Sequence, residues 1–325
     1  MKAYPSVAII IVNWNGRDLL STCLNSLTRK TTYPNYHVVV VDNGSLDNSS
    51  EFLRDRYPEA IRILLDKNYG FAVGNNIGIV YAQRNYDPDY VLLLNNDTEI
   101  IQAHWLNKII ETTESDNEIG IAGCKLIYPD GSAQNIGTKI GVRGPFWLDP
   151  NTAYDLPEVF EVDAVYGACF LIRRMVIERI GLLDEGFSPF LYEETDYCVR
   201  AKRAGYKNCT ISSVMVVHAR SASTRKVKSH FAIFVERKNT IRFMLLNFPI
   251  AWIILRIPIE IATFFSILER NKDKKGVFPF KLRRREELVN RIRTNTWAWR
   301  INLKNLRDII AKRRNRTGKL MPINS

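Results

Sequence analysis

The sequence has little of what organises small extracellular or zinc-stapled domains. Its five cysteines, Cys23, Cys124, Cys169, Cys198 and Cys209, are odd in number, scattered over 325 residues, and show no Cys-x-x-Cys spacing. That excludes a disulfide framework and a thiolate zinc site, and it predicts a reducing, cytosolic setting. No small-residue cleavage site follows the N-terminal apolar run, so no signal peptide is expected. No apolar stretch reaches the roughly twenty residues that a spanning helix needs. The charge-free run Phe243–Leu255 has thirteen residues, and Arg242, Arg256, Glu260, Pro249 and Pro258 interrupt its surroundings. Internal repeats and low-complexity segments are absent.

Acidic residues are scarce at one end of the chain. From Glu269 to Ser325 there are eighteen Lys and Arg against five Asp and Glu, a surplus of thirteen, whereas the whole chain carries +12. The body is therefore close to neutral and the basicity belongs to a C-terminal appendix. Such a tail meets phosphate, on nucleic acid or on anionic lipid.

What is present first is a series of short β-branched runs: Val7–Val12, His37–Val41, Ile61–Leu65 and Tyr90–Leu94. Runs this short and this apolar predict strands buried on both faces, as in a parallel sheet. Leu19, Leu20, Cys23, Leu24 and Leu27 recur at helical spacing, and Ser49–Tyr57 and Ala72–Gln83 supply further crossovers. The alternation predicts an α/β fold whose ligands sit beyond the carboxyl ends of the strands. Tyr128–Pro157, rich in Gly, Pro, Asp and Asn, reads as a long functional loop region. Val165–Ile172 and Val214–His218 read as strands, and Thr195–Ala204 as a helix ended by Gly205.

Each of the four early strands delivers short amides or a carboxylate to the same edge. They are Asn13-Trp14-Asn15-Gly16, Asp42-Asn43-Gly44-Ser45, the Asn68 to Asn76 segment, and Asn95-Asn96-Asp97-Thr98. One such residue is ordinarily a satisfied turn. Four sets at corresponding places suit a nucleotide pocket, with glycines for close backbone approach and a carboxylate for a metal on the pyrophosphate.

The series NWNG, VVDNGS, NYGFAVGNN and LLLNNDT, followed by GACFLIRR, DEGF, YEETDYCVRAKRAGY and a late histidine, resembles the family-2 glycosyltransferases of the GT-A fold. Its flavour is that of the rhamnosyltransferase-like branch of surface-polysaccharide biosynthesis. The resemblance spans Val7 to His218 and implies a GT-A catalytic domain over 1–222, followed by a helical basic extension over 223–325. It implies transfer from a nucleoside-diphosphate sugar to a hydroxyl. Asp42 and Asn43 would receive base and ribose, the Asn43 amide pairing a pyrimidine edge. Asn13 and Asn15 would line the same end, with Asn68, Gly70 and Asn76 shaping the pocket. Asn95-Asn96-Asp97 stands where the family carries Asp-x-Asp, and Asn95 departs from that pattern. Asp97 is then the one carboxylate there to hold Mg²⁺ or Mn²⁺, with His218 as the companion ligand. Glu194 aligns with the general base of the family's Glu-Asp-x-Asp segment and is preferred to Glu193. Asp184, Glu185 and Phe187 would wall the acceptor side.

The appendix predicts helices lying in the membrane interface rather than spanning it, at the cytoplasmic face of an anionic membrane where a lipid-linked acceptor would be met. A processive polysaccharide synthase would need Gln-x-x-Arg-Trp and true spans. A sugar nucleotidyltransferase would need a glycine-rich loop with Arg and Lys after the first strand. Nucleic-acid binding would rest on the tail alone, with no accompanying nucleic-acid fold.

Overall fold

The computed structural model describes residues 4–141, 144–148, 157–219, 229–254 and 279–316. The chain divides into two compact units, Met1–Val227 and Lys228–Ile323.

In the first unit the four apolar runs become β1 (Val7–Asn13), β2 (Tyr36–Asp42), β3 (Ile61–Leu64) and β4 (Tyr90–Leu94). They pair in parallel in the order β4-β1-β2-β3. Between them run α1 (Arg17–Lys30), α2 (Ser49–Arg56) and α3 (Phe71–Tyr86). Burial follows position in the sheet. Central β4 is buried at every residue, but β3 alternates between half-buried and exposed because it is an edge strand, so it is not covered on both faces. Leu20, Cys23, Leu24 and Leu27 of α1 enter the core on one face of the sheet, and Ala72, Ile79 and Ala82 of α3 enter it on the other.

Past β4 the sheet ceases to be parallel. The chain continues through β5 (Thr98–Ile100), α4 (Trp105–Ser115), β6 (Ile119–Ile127), β7 (Ala133–Asn135), β8 (Thr138–Gly141), β9 (Gly144–Trp147) and β10 (Val159–Val162). Then come β11 (Cys169–Arg173), α5 (Arg174–Ile180), α6 (Glu193–Arg203) and β12 (Lys207–His218). The main order is β10-β12-β6-β11-β4-β1-β2-β3, with β11 inserted antiparallel between β4 and β6. Because β6 and β12 run parallel to each other and both oppose β11, the C-terminal end of β12 returns to the edge where β1, β2 and β4 end. This inversion brings His218 to the early motifs.

The segment read as a long loop holds three short strands. β7 pairs with β6, and β8 and β9 form a separate hairpin. Strands of three or four residues are too short to show a period in sequence. Residues 142, 143 and 149–156 of that segment lie outside the described residues.

The second unit contains α7 (Ser229–Asn247), α8 (Pro279–Lys304) and α9 (Leu306–Asn315). The apolar run expected to lie in a membrane interface is in part the core of this unit: Phe243, Met244, Leu246 and Phe248 are buried. Ile250 and Ile254 are exposed, and Leu255 lies outside the described residues. Part of the basic surplus is structural as well. Arg313 donates to the Leu245 and Phe248 carbonyls at 2.6 and 2.7 Å, satisfying the end of α7, where backbone acceptors have no helical partner. Buried Arg242 pairs with Asp308 at 2.9 Å. Among the described residues no helix is long and apolar enough to cross a membrane.

Candidate active site

β1 and β2 end in register, Asn13 beside Asp42, so both turns that follow start at one level. Asn13 is fully buried. Its Nδ2 donates to Ser45 Oγ at 3.2 Å and its Oδ1 accepts from Asn96 Nδ2 at 2.7 Å. The Asn15 amide N–H donates to the same Ser45 Oγ at 2.9 Å, while Asn15 Oδ1 accepts from Leu46 N at 2.7 Å. Asp42 Oδ1 accepts from Ser45 N at 2.8 Å. Asp42 Oδ2 is buried without a hydrogen-bond partner, although the residue is only 3% exposed. A buried carboxylate oxygen left unsatisfied costs about 1–3 kcal/mol or more. It is an acceptor waiting for an N–H or O–H donor.

Asn43 and Asn76 are engaged differently from expectation. Asn43 Nδ2 donates to Asn68 Oδ1 and to the Gly70 carbonyl, both at 3.1 Å, and Asn43 Oδ1 accepts from Tyr69 N at 2.9 Å. Both amide protons are used, so Asn43 shapes the 68–70 turn and has no donor left for a base edge. Asn76, on α3, donates to the Leu183 carbonyl and to Glu185 Oε1, both at 3.0 Å, and accepts from Leu183 N at 3.0 Å. It anchors the 183–185 segment. Gly70 is required where it stands. Its φ is +93°, and a Cβ there would lie 2.3 Å from Ser188 Oγ and 2.9 Å from Pro189 Cα.

Asp184, Glu185 and Phe187 form a short 3₁₀ turn in which Asp184 Oδ1 caps Gly186 N at 3.0 Å. Phe187, expected on the acceptor-side wall, is fully buried and stacks on Tyr192 with ring centroids 6.5 Å apart, so it supports the turn from within.

The last residue of β12 makes the pairing that the topology allows. His218 Nε2 lies 3.3 Å from Asp97 Oδ1 and 3.5 Å from Asn95 Nδ2, and both His218 and the Asp97 carboxylate are largely buried. On the far side of the ring, Gln134 Nε2 donates to the His218 carbonyl at 2.9 Å, and Gln134 Oε1 lies 2.6 Å from His218 Nδ1. The carbonyl can only accept, which fixes the orientation of the Gln134 amide. Its oxygen then needs a donor, so Nδ1 carries a proton and Nε2 is the ring atom that faces Asp97. In the tautomer that leaves Nε2 bare, its lone pair and the carboxylate both point at the space where a cation could sit. Adjacent ligands of an octahedral ion with bonds of about 2.1 Å lie ~3.0 Å apart, close to the 3.3 Å observed here. The spacing suits two ligands of one hard divalent ion. Among the described residues no group of three or more His, Cys, Asp or Glu could hold a metal.

α6 opens on Glu193-Glu194-Thr195-Asp196 after two residues of positive φ, Leu191 at 77° and Tyr192 at 80°. Non-glycine residues held there are strained, and such strain clusters at functional sites. Asp196 is fully buried and bonded by Arg200 Nε at 3.1 Å, which makes it structural. Glu193 is buried as well. Glu194 is partly exposed, and burial of its carboxyl pushes its pKa from 4.5 up to about 7. Its side chain lies against Gly167, where a Cβ would sit 3.2 Å from Glu194 Cγ. Gln134, Ser45 and Gly167 were not singled out from sequence. Ser45 stands inside a quoted motif and Gly167 opens another, but nothing local marks Gln134.

The sequence model for glycosyl transferase family 2 matches residues 8–181, more than half of the chain. The O-antigen biosynthesis protein RfbC of Myxococcus xanthus is 28% identical over 69% of this chain, which spans only 18% of that relative's length. The low-salt glycan biosynthesis hexosyltransferase Agl10 of Haloferax volcanii is 27% identical over 74% of this chain and 75% of its own. The N-acetylglucosaminyl-diphospho-decaprenol L-rhamnosyltransferase of Mycobacterium tuberculosis is 28% identical over 73% of this chain and 83% of its own. Among solved structures, the mannosyltransferase PcManGT of Pyrobaculum calidifontis, in complex with GDP-Man and Mn²⁺, superposes with a TM-score of 0.54 at 17% identity. That superposition covers 95% of this chain and 76% of the other. At that identity the likeness shows the fold, a mixed α/β sheet of GT-A type. The chain belongs to glycosyl transferase family 2.

Proposed function

We propose that the protein is an inverting, divalent-metal-dependent glycosyltransferase. It moves a sugar from a nucleoside-diphosphate donor to a hydroxyl of a lipid-linked glycan acceptor during cell-surface polysaccharide biosynthesis. The observation that carries this reading is the meeting of Asp97 and His218 Nε2 at 3.3 Å on the edge where the early strands end. The names of the curated relatives put rhamnose first among the sugars to try, and the mycobacterial name suggests a diphospho-polyprenol-linked acceptor. Such an acceptor favours a peripheral position at the cytoplasmic face of the membrane, with exposed Ile250 and Ile254 and the remaining basic side chains of the second unit against anionic lipid.

Asp97 and His218 would hold Mg²⁺ or Mn²⁺, with Asn95 beside them. Bound there, the ion supplies Lewis-acid stabilisation of the charge that gathers on the leaving diphosphate. The unsatisfied Asp42 Oδ2 accepts from the base or ribose. The Asn13–Asn96–Ser45–Asn15 network holds the turns around that carboxylate, and the 68–70 turn closes the same pocket through Asn43. Glu194 removes the proton of the acceptor hydroxyl as that oxygen attacks the anomeric carbon. With its pKa at about 7, roughly half of the carboxylate is ionised at neutral pH, and that half is basic enough to accept. Asp184 and Glu185, positioned by Asn76, contribute to the acceptor side.

Calorimetry of UDP, dTDP and GDP binding with and without Mn²⁺, on the native protein and Asp97→Ala, tests this. Mn²⁺ should tighten binding of at least one nucleotide to the native protein and have no effect on the variant. Metal-stimulated binding that survives in Asp97→Ala removes Asp97 from the site.

A further inference from the structure

The hairpin β8–β9 holds a half-exposed indole beside the site that the mechanism above does not use. Trp147 is 51% exposed. Its ring meets Tyr166 edge-on at 6.2 Å, and Tyr166 meets His218 at 5.8 Å. A lone exposed aromatic is ordinary on any protein surface. Here three rings in succession lead from the surface to the Asp97–His218 pair. The residue after Tyr166 is Gly167, which faces Glu194. Tyr166 therefore adjoins both the metal-binding pair and the proton acceptor, and Trp147 is the next ring outward.

The hairpin is fastened to the core, which holds in place the backbone that carries the indole. Thr138, directly across the hairpin from Trp147, donates its N–H to the Ala164 carbonyl at 2.8 Å. Leu148 N donates to the Gly137 carbonyl at 3.0 Å and Ile140 N to Asp163 Oδ2 at 2.8 Å.

A pyranose has a face of C–H bonds and a rim of hydroxyls, so it suits a rigid aromatic surface bordered by polar groups. The nucleotide end lies at β1 and β2, separated from β12 in the sheet by β4, β11 and β6. An aromatic beyond His218 is on the wrong side for the base. The geometry points to Trp147, backed by Tyr166, as the platform on which a pyranose ring of the acceptor stacks, its reacting hydroxyl turned toward Glu194. This assignment rests on the glycosyltransferase reading proposed above.

Saturation-transfer NMR with methyl α-rhamnoside and methyl N-acetyl-β-glucosaminide tests it, with sorbitol as a control that lacks a ring face. In the native protein and in Trp147→Phe, ring C–H protons of at least one pyranoside should saturate. In Trp147→Ala affinity should fall about tenfold, the factor that loss of one aromatic stacking partner represents. Nucleoside diphosphate binding with Mn²⁺, measured on the same samples, should be unchanged across all three. Undiminished saturation in Trp147→Ala, equal saturation of sorbitol, no pyranoside signal in the native protein, or a parallel loss of nucleotide binding in Trp147→Ala would each overturn the platform. A native protein that shows the pyranoside pattern yet binds no nucleotide would instead remove the donor reading and leave the sugar site standing.

Discussion

Replacing Glu194 by glutamine should move activity and stability in opposite directions, a signature that separates a catalytic base from a structural carboxylate. The folded protein holds the Glu194 proton up to about pH 7, whereas the unfolded chain releases it near 4.5. Between those values the unfolded state binds fewer protons, so native stability falls as pH rises, and the full cost is present above pH 7. A displacement of that size corresponds to roughly 3 kcal/mol. Glu194 is partly exposed, and solvent screening lowers the expected figure to about 1–2 kcal/mol. The amide in the Glu194→Gln variant has no proton to lose over this range. Urea unfolding of Glu194→Gln should therefore match the native protein at pH 4.5 and exceed it by that amount at pH 8. Sugar transfer should fall by roughly a hundredfold or more, the usual loss for a general base. The native rate should rise about tenfold per pH unit below 7 and level off above it. A variant that is less stable at pH 8, or that keeps more than about a tenth of its activity, would exclude Glu194 as the base. A larger activity loss in Glu193→Gln would transfer the role to the preceding residue.

Removing the Gln134 amide in Gln134→Leu should weaken Mn²⁺ binding about 10- to 100-fold with the fold intact, because the partner that fixes the His218 tautomer is gone; Mn²⁺ EPR titration reads this, and unchanged affinity would contradict it. Gly70→Ala should lower stability by about 2 kcal/mol or more, since positive φ and the approach to Ser188 both forbid a Cβ; a thermal midpoint within about a degree of native would show that the 188–189 segment yields. The full chain should float with anionic liposomes at low salt and leave them partly at high salt, each engaged Lys or Arg contributing on the order of 1 kcal/mol; equal flotation on neutral vesicles would remove the electrostatic part.

The first half of the catalytic unit was legible because its strands are short β-branched runs ending in conspicuous turns. Asn13, Asp42 and Asn95 through Asp97 lie at strand ends, where periodicity alone locates them. The second half was not. Antiparallel β11 between β4 and β6 is a non-local pairing with no local signature, and it is what turns β12 so that His218 meets Asp97. Gln134 and Trp147 sit on strands of three and four residues, below the length at which alternation shows. The internal bonds of Asn43 and Asn76 were illegible for another reason. The same amide serves a turn or a ligand, and only the geometry tells which atoms it already engages. The basic tail likewise concealed Arg313, whose charge satisfies helix-end carbonyls.

Whether Asp97 and His218 meet to serve transfer from a nucleotide sugar is read by release of nucleoside diphosphate from a panel of UDP-, dTDP- and GDP-sugars, with Mn²⁺ or with chelator. One donor class should be turned over with Mn²⁺ and chelator should abolish turnover. Asp97→Ala and His218→Ala should each lose it while remaining folded. Turnover that persists in chelator, or in both variants, would contradict that role.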